Sequence, residues 1–119
     1  MIKVLLVVKR RNDITREQCF QHWKEVHGPK FVAKSVPGLR KYAQNHAIKV
    51  TGSGFGADTD GLVEFWFDDI ESAEAFLQWQ DSSDEAEDLR EDLRSFTDVE
   101  EPPTFIAEEY VLKEQGFGI

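Results

Sequence analysis

Residues 20–46 read FQHWKEVHGPKFVAKSVPGLRKYAQNH, and all three histidines of the chain, His22, His27 and His46, fall within them beside Trp23 and Tyr42. Just upstream, Thr15 followed three residues later by Gln18 has the pattern of a capping box, in which each side chain satisfies a backbone N–H at a helix start. A helix is therefore predicted from about Arg16 to His27. Projected on a regular helix, Phe20, His27, Trp23, Cys19 and Val26 share one arc, the buried one, while His22 borders the polar side and is expected in solvent. Gly28-Pro29 predicts the helix end at His27, since glycine suits the left-handed position past a helix and proline cannot continue the ladder. There the helix dipole would raise the His27 pKa and burial would lower it. Residues 30–36 carry a further helical turn with Phe31 and Val32, Pro37-Gly38 reads as a turn, and residues 40–50 as a strand. The strand period places Tyr42, Gln44, His46 and Ile48 on one face. A helix ending in one imidazole and a strand carrying another would set His27 and His46 at one end of a helix–sheet interface.

Working outward, Ile2–Lys9 is a short, continuously apolar run that predicts an interior strand covered on both faces. Thr51–Gly61 holds four of the eight glycines. It lacks the Gly-Lys-Ser/Thr ending of a phosphate cradle and is expected to be a connecting loop; any functional role would be that of a lid carrying Phe55. Leu62–Phe67 is an aromatic strand with Glu64 and Trp66 on one face, and Glu64 is expected to mark a strand end or to pair with a basic residue of a neighbouring strand, the alternative being a pocket carboxylate. A helix capped by Ser72 runs to about Gln80 on Ala73, Phe76 and Leu77. In the acidic stretch 81–98, Ala86, Leu89, Leu93 and Phe96 recur at helical spacing, and its carboxylates are expected to form a solvated face without a metal site. After Pro102-Pro103, Phe105–Leu112 is a final strand. The order strand, helix, strand, strand, helix with an extension, strand predicts an α+β, ferredoxin-like βαββαβ antiparallel sheet with helices on one face. The other sheet face would carry exposed apolar residues, and a homodimer pairing two such faces follows.

At 119 residues the chain is expected to form one domain, 1–119. Its 40% hydrophobic and 31% charged residues suit a folded domain. A formal charge of -9 argues against nucleic acid and against an anionic membrane surface. The longest apolar run is far shorter than a membrane span, and no signal peptide follows Met1, so a cytoplasmic protein is expected. The single cysteine, Cys19, reads as a small core residue.

His22-Trp23, His27-Gly28-Pro29, Pro37-Gly38-Leu39-Arg40, Tyr42 and Gln44-Asn45-His46 resemble the EthD-like family of dimeric α+β barrel proteins, and the resemblance extends more loosely through Phe67-Asp68, the Ser72 helix and Phe96-Thr97-Asp98. It implies a ferredoxin-like subunit paired into a barrel, with a small-molecule pocket between sheet and helices. Related barrels include lactone isomerases, aromatic polyketide cyclases and dehydratases, and cofactor-free oxygenases. Carried over, the pocket histidines correspond to His27 and His46. Histidine suits proton transfer because its pKa lies near neutrality, so one imidazole can take a proton while the second, or Tyr42, supplies one. The resulting expectation is an enzyme using neither metal nor organic cofactor, with His27, His46 and Tyr42 catalytic. A small apolar or aromatic ligand would lie against Trp23, Gln44, Trp66, Phe31 and Phe55, although both tryptophans read equally well as core. The alternatives are a binding or accessory protein that performs no chemistry and, by fold analogy, an oxygenase that is cofactor-free or binds haem through one histidine.

Overall fold

The computed structural model describes residues 1–51, 59–98 and 101–115. Among them, four strands form one antiparallel sheet in the order β2-β3-β1-β4: β1 (Ile2–Val8), β2 (Lys41–His46), β3 (Gly61–Phe67) and β4 (Thr104–Glu108). This is the ferredoxin-like order expected of two interleaved βαβ units. β1 is interior, pairing Val4 with Phe65 on one side and with Ile106 on the other. Its alternation is sharp. Val4, Leu6 and Val8 are buried towards the helices, whereas Lys3, Leu5 and Val7 lie half-buried on the opposite face, so the strand is not covered equally on both sides.

The first helical region departs from the expected stop. The Thr15–Gln18 capping box forms, and α1 (Arg16–His22) follows it. The chain then widens into a π-helical stretch, Trp23–His27, and continues without a break into α2 (Gly28–Val32). Gly28 is right-handed (φ -55°), and its N–H bonds to the Trp23 carbonyl across the wide turn. Pro29 falls in the first turn of α2, where the missing N–H costs little. Glycine at 28 makes room for a side chain: a Cβ there would lie 2.9 Å from Nε2 of Gln44, which approaches from β2, and would displace that amide. The expected turn does form at Pro37-Gly38, where Gly38 takes the left-handed conformation (φ 78°) that an L-residue disfavours.

Past β3, α3 (Ile70–Ser82) is capped by Asp69, whose carboxylate accepts from the Ser72 N–H; Ser72 is not itself the cap. A short 3-10 turn (Asp84–Ala86) leads into α4 (Glu87–Phe96). β2 and β4 are shorter than expected. Ile48 and Leu112 lie beyond their ends and are almost fully exposed. Helices and sheet close over Val4, Val8, Cys19, Trp23, Phe67 and Phe96, each at most 2% exposed. Removing such side chains from water contributes about 1.5–3 kcal/mol apiece. Burial pushes the Cys19 thiol up to about 11, Asp60 adding to the shift, so Cys19 is core as expected.

Candidate functional site

The side chains with chemistry gather where the π-helical stretch, β2 and α4 meet. His27, at the end of that stretch, brings Nδ1 to 2.8 Å from Oδ2 of Asp92 on α4, and His22 brings Nε2 to 2.9 Å from Oδ1 of the same carboxylate. Both imidazoles also pack on Phe96, with ring centroids 5.0 Å (His22) and 5.3 Å (His27) away. His22 is therefore half-buried and bonded, contrary to the expectation of a solvent position. Asp92 overturns the reading of the acidic stretch as a wholly solvated face, for it is buried. A signal for it exists: Asp92 stands three residues after Leu89 and four before Phe96, on the apolar stripe of α4.

A carboxylate accepts hydrogen bonds only, so Asp92 holds the proton of His27 on Nδ1 and leaves Nε2 with a lone pair. Burial pushes the His27 pKa below its ordinary value, outweighing the opposing hydrogen bond and charge of Asp92. Burial thus prevails at His27, and the continuing helix removes the terminal dipole from the contest. Burial also opposes ionisation of Asp92, but the bonds from His22 and His27 outweigh it and hold the carboxyl below the usual range. The outcome is an ionised carboxylate beneath a neutral imidazole.

On β2, Gln44 Nε2 donates to the Trp23 carbonyl (2.9 Å) and to the Tyr42 hydroxyl (2.7 Å). Its Oε1 lies 2.8 Å from Nε2 of His46 and accepts the proton there. Burial raises the Tyr42 pKa, the Gln44 bond opposing it, and the phenol stays protonated at neutral pH. The His46 ring stacks between Trp23 (centroids 4.4 Å, planes 17° apart) and Phe20 (4.7 Å). Its pKa is lowered by burial and then by Lys24. Gly61, opposite His46 in the ladder, allows this packing, because a Cβ there would reach within 2.6 Å of the Trp23 ring.

A cavity of about 40 Å³ lies between sheet and α4, lined by Trp23, His27, Phe31, Tyr42 and Phe65 among others. His46 and Gln44 are not in its wall. The expected convergence of two imidazoles on one pocket is thus not what the fold builds: Trp23 faces the cavity and also carries His46 stacked on its ring. Phe31 is in the wall, 4.5 Å from Tyr42 between ring centroids. Trp66 is not; it lies on the opposite face of the sheet, with Lys3 and Lys41 ammonium groups 4.4 and 4.6 Å from its ring centroid. Phe55 and the part of the expected lid at residues 52–58 lie outside the described residues, and Gly61, read as the end of that loop, is the first residue of β3. Glu64 makes the expected ion pair with a neighbouring strand, to Lys3 at 2.8 Å.

Beyond the inner cavity is a larger, polar one of about 600 Å³, and the two share Leu6, Gln80, Arg90 and Leu93 as a common wall. The inner cavity has room for a few atoms, whereas the outer one has the volume of a typical small-molecule site. Among the described residues, no group of three or more His, Cys, Asp or Glu is arranged to hold a metal ion, and no helix is long and apolar enough to cross a membrane.

The EthD domain matches residues 11–100. No curated protein matches the chain at a significant level. Among solved structures, an ethyl tert-butyl ether D (EthD) family protein from Bacillus halodurans C-125 is 24% identical with a TM-score of 0.63, covering 92% of this chain and 99% of that one. An EthD-like protein from Ralstonia eutropha JMP134 is 18% identical with a TM-score of 0.66 and covers 94% of each chain. A dimeric ferredoxin-like protein of unknown function from Thermobifida fusca YX is 14% identical with a TM-score of 0.60, covering 89% of this chain and 88% of that one. At these identities the likeness carries the fold.

Proposed function

This chain belongs to the EthD-domain family, and on that premise we propose that it transfers protons on a small ring-containing ligand without a metal or organic cofactor. The observation that carries the reading is His27 against Asp92, a neutral, partly buried imidazole with its Nδ1 proton fixed and its ring in the cavity wall. The ligand sits in the outer cavity and projects an acidic C–H or O–H through the common wall into the inner one. His27 Nε2 takes that proton, and Asp92 stabilises the imidazolium that results. Returned to a different atom of the ligand, the proton completes an isomerisation; returned to a departing hydroxyl, it completes a dehydration; a carbanion formed in between can close a ring by adding to a carbonyl carbon of the same ligand, whose π electrons move to the oxygen, which then takes the proton back from the imidazolium. Tyr42, a protonated phenol in the same wall, donates to the oxygen on which negative charge develops. Gln44 and His46 act through Tyr42 as positioning residues, since His46 orients the Gln44 amide and Gln44 orients the phenol.

The proton step is readable without knowing the full reaction. Incubated in heavy water with a panel of lactones and phenolic ring compounds, the protein should exchange an acidic ligand hydrogen for deuterium, followed by NMR. His27→Ala should slow that exchange by about 10²- to 10⁴-fold while keeping the fold. Exchange at the wild-type rate in His27→Ala would remove His27 as the base. Tight binding with no exchange anywhere on the panel would favour a binding protein, a reading to which the small inner cavity lends weight.

The protein is further proposed to act as a homodimer through the open sheet face. Leu5, Val7, Leu62 and Phe105 share that face, and Phe105 is half exposed. Leu5→Glu should then shift the species seen by light scattering to the 13.7 kDa monomer. A wild type already monomeric at 100 micromolar would contradict the proposal.

A further inference from the structure

We infer that Gln44 is a positioning residue for His27 as well as for Tyr42: its amide, reaching over from β2, holds the wide turn at Trp23–His27, and that turn brings His22 and His27 onto one carboxylate. The link to proton transfer rests on the reading above, whereas the link to the His27 ring does not. Two side chains five positions apart on a regular α-helix point about 140° away from one another, so His22 and His27 would not both face Asp92 from such a helix. A π turn bonds an N–H to the carbonyl five residues back and so sets residues five apart one above the other. Here the Gly28 N–H bonds to the Trp23 carbonyl across Trp23–His27, and the two imidazoles meet the two oxygens of Asp92, at 2.9 Å (His22) and 2.8 Å (His27). Lys30, just past the turn, brings its ammonium to 3.7 Å from Oδ1 of the same carboxylate.

Pro29 explains why the helix leaves α geometry. In a regular α turn its ring would press on the Glu25 carbonyl, and it has no N–H to offer. The proline does not decide what replaces that turn, since a kink would relieve it as well. Gln44 selects the wide turn. Its Nε2 donates to the Trp23 carbonyl at 2.9 Å, so the oxygen that closes the turn accepts from Gly28 and Gln44 together, and both of its lone pairs are used. The amide has one orientation, because the Trp23 carbonyl requires a donor at that end, while Oε1 accepts from Nε2 of His46 at 2.8 Å at the other. Gly28 leaves the approach open: a Cβ there would lie 2.9 Å from the amide nitrogen and 3.3 Å from the Trp23 oxygen. The same amide nitrogen donates to the Tyr42 hydroxyl at 2.7 Å. One side chain thus ties the turn that carries His27 to the phenol of Tyr42 across the junction of helix and sheet.

Nitrogen-15 NMR of the histidine-labelled full chain at neutral pH reads the turn through the two rings. In the wild type His27 should carry its proton on Nδ1 alone and His22 on Nε2. Gln44→Met keeps the length of the side chain without the donor; His27 should then leave Asp92 and show the mixed Nδ1 and Nε2 forms of an unbound imidazole, while His22, which precedes the turn, keeps its proton on Nε2. Gly28→Ala sets a methyl group against the amide from the helix side, should do the same, and carries the test if Gln44→Met folds poorly. Tyr42→Phe removes another bond of the amide and should leave the His27 ring as it is in the wild type. His27 still protonated on Nδ1 alone in the folded variant overturns the inference. An equal change in Tyr42→Phe overturns it too, as does loss of the His22 bond together with that of His27, since α4 rather than the turn would then have moved. Deuterium exchange on a ligand should fall with the release of the ring, by about 10²-fold in Gln44→Met. The proton-transfer reading fails separately: a His27 ring released in Gln44→Met, with ligand exchange untouched in His27→Ala, would leave the role of Gln44 in the turn standing and remove that reading.

Discussion

The two faces of the sheet carry similar residues in different states. On the open face, Lys3 pairs with Glu64 (2.8 Å) and Glu109 (2.7 Å), Asn45 donates to Glu64 at 2.9 Å, and Trp66 lies against two ammonium groups. On the covered face, Asp92 holds two imidazoles, and Gln44 links Tyr42 to His46. Burial opposes the charge on Glu64 as it does on Asp92, but the hydrogen bonds from Lys3 and Asn45 outweigh it and keep Glu64 ionised. The open-face cluster is closed, its charges matched by permanently charged partners. Under the helices the hydrogen-bonding partners of Asp92 are titratable imidazoles, with the Lys30 ammonium farther off at 3.7 Å, and among the described residues Nε2 of His27 is left over beside a cavity. Charge alone therefore does not mark a site; an uncommitted group at a concave, buried position does.

The largest expected contrast is in rate. Where His27→Ala lowers proton transfer by about 10²- to 10⁴-fold, Glu64→Gln on the open face should change it less than about threefold, an ordinary surface effect. Comparable losses in the two variants, measured in the deuterium-exchange assay, would break the comparison.

Next in size is packing. Gly61→Ala would push a methyl group into the Trp23 ring and the Asn45 carbonyl, and overpacking of this kind costs about 1–3 kcal/mol. Urea denaturation should show that loss, accompanied by displacement of His46 from its stack on Trp23. A neutral Gly61→Ala would mean that the helix stands farther from β3 than described.

Asp92→Ala strips both histidines of their partner and should cost about 1–3 kcal/mol, whereas Lys3→Met, across a partly exposed pair, should stay within about 1 kcal/mol. The reverse order would place the dominant polar network on the open face.

These contrasts also mark what the sequence could disclose. The apolar run at Ile2–Lys9, the two faces of Leu62–Phe67, the capping box at Thr15 and the Pro37-Gly38 turn are local signals, and the ferredoxin-like order follows from them, whereas the alternating burial of β1 does not show in a run that is apolar throughout. Gly28-Pro29 was misleading because a stop signal and a close-approach glycine look identical in one dimension; only the position of Gln44 on a distant strand separates them. Asp92 was hidden by its acidic neighbours, although its place between Leu89 and Phe96 carried the clue. The pairing of His27 with His46 failed for a third reason. Strand parity assigns His46 to the helix-facing side, but which side chain stands between two residues on that side depends on the bulk of Trp23.

The smallest expected effect is the pH dependence of stability. The folded pKa values of His27 and His46 lie below the ordinary histidine value, so between those values and about 6.5 the unfolded chain binds more protons. Stability is therefore full above about pH 6.5 and falls as pH is lowered through that window. The contribution of Asp92, whose folded pKa is depressed, is present above about pH 4 and is lost as pH falls further towards the folded value. Denaturation midpoints recorded against pH should show the first decline in the wild type and a smaller one in His27→Gln. An unchanged first decline would assign it to groups other than His27.

The most direct test of the account is the state of one ring. Nitrogen-15 NMR of histidine-labelled protein, titrated between pH 4 and 8, should show His27 protonated on Nδ1 alone at neutral pH, with a pKa below the ordinary value of about 6.5. A proton on Nε2, or a pKa above that value, would contradict it, because His27 would then have no lone pair to offer the cavity at neutral pH.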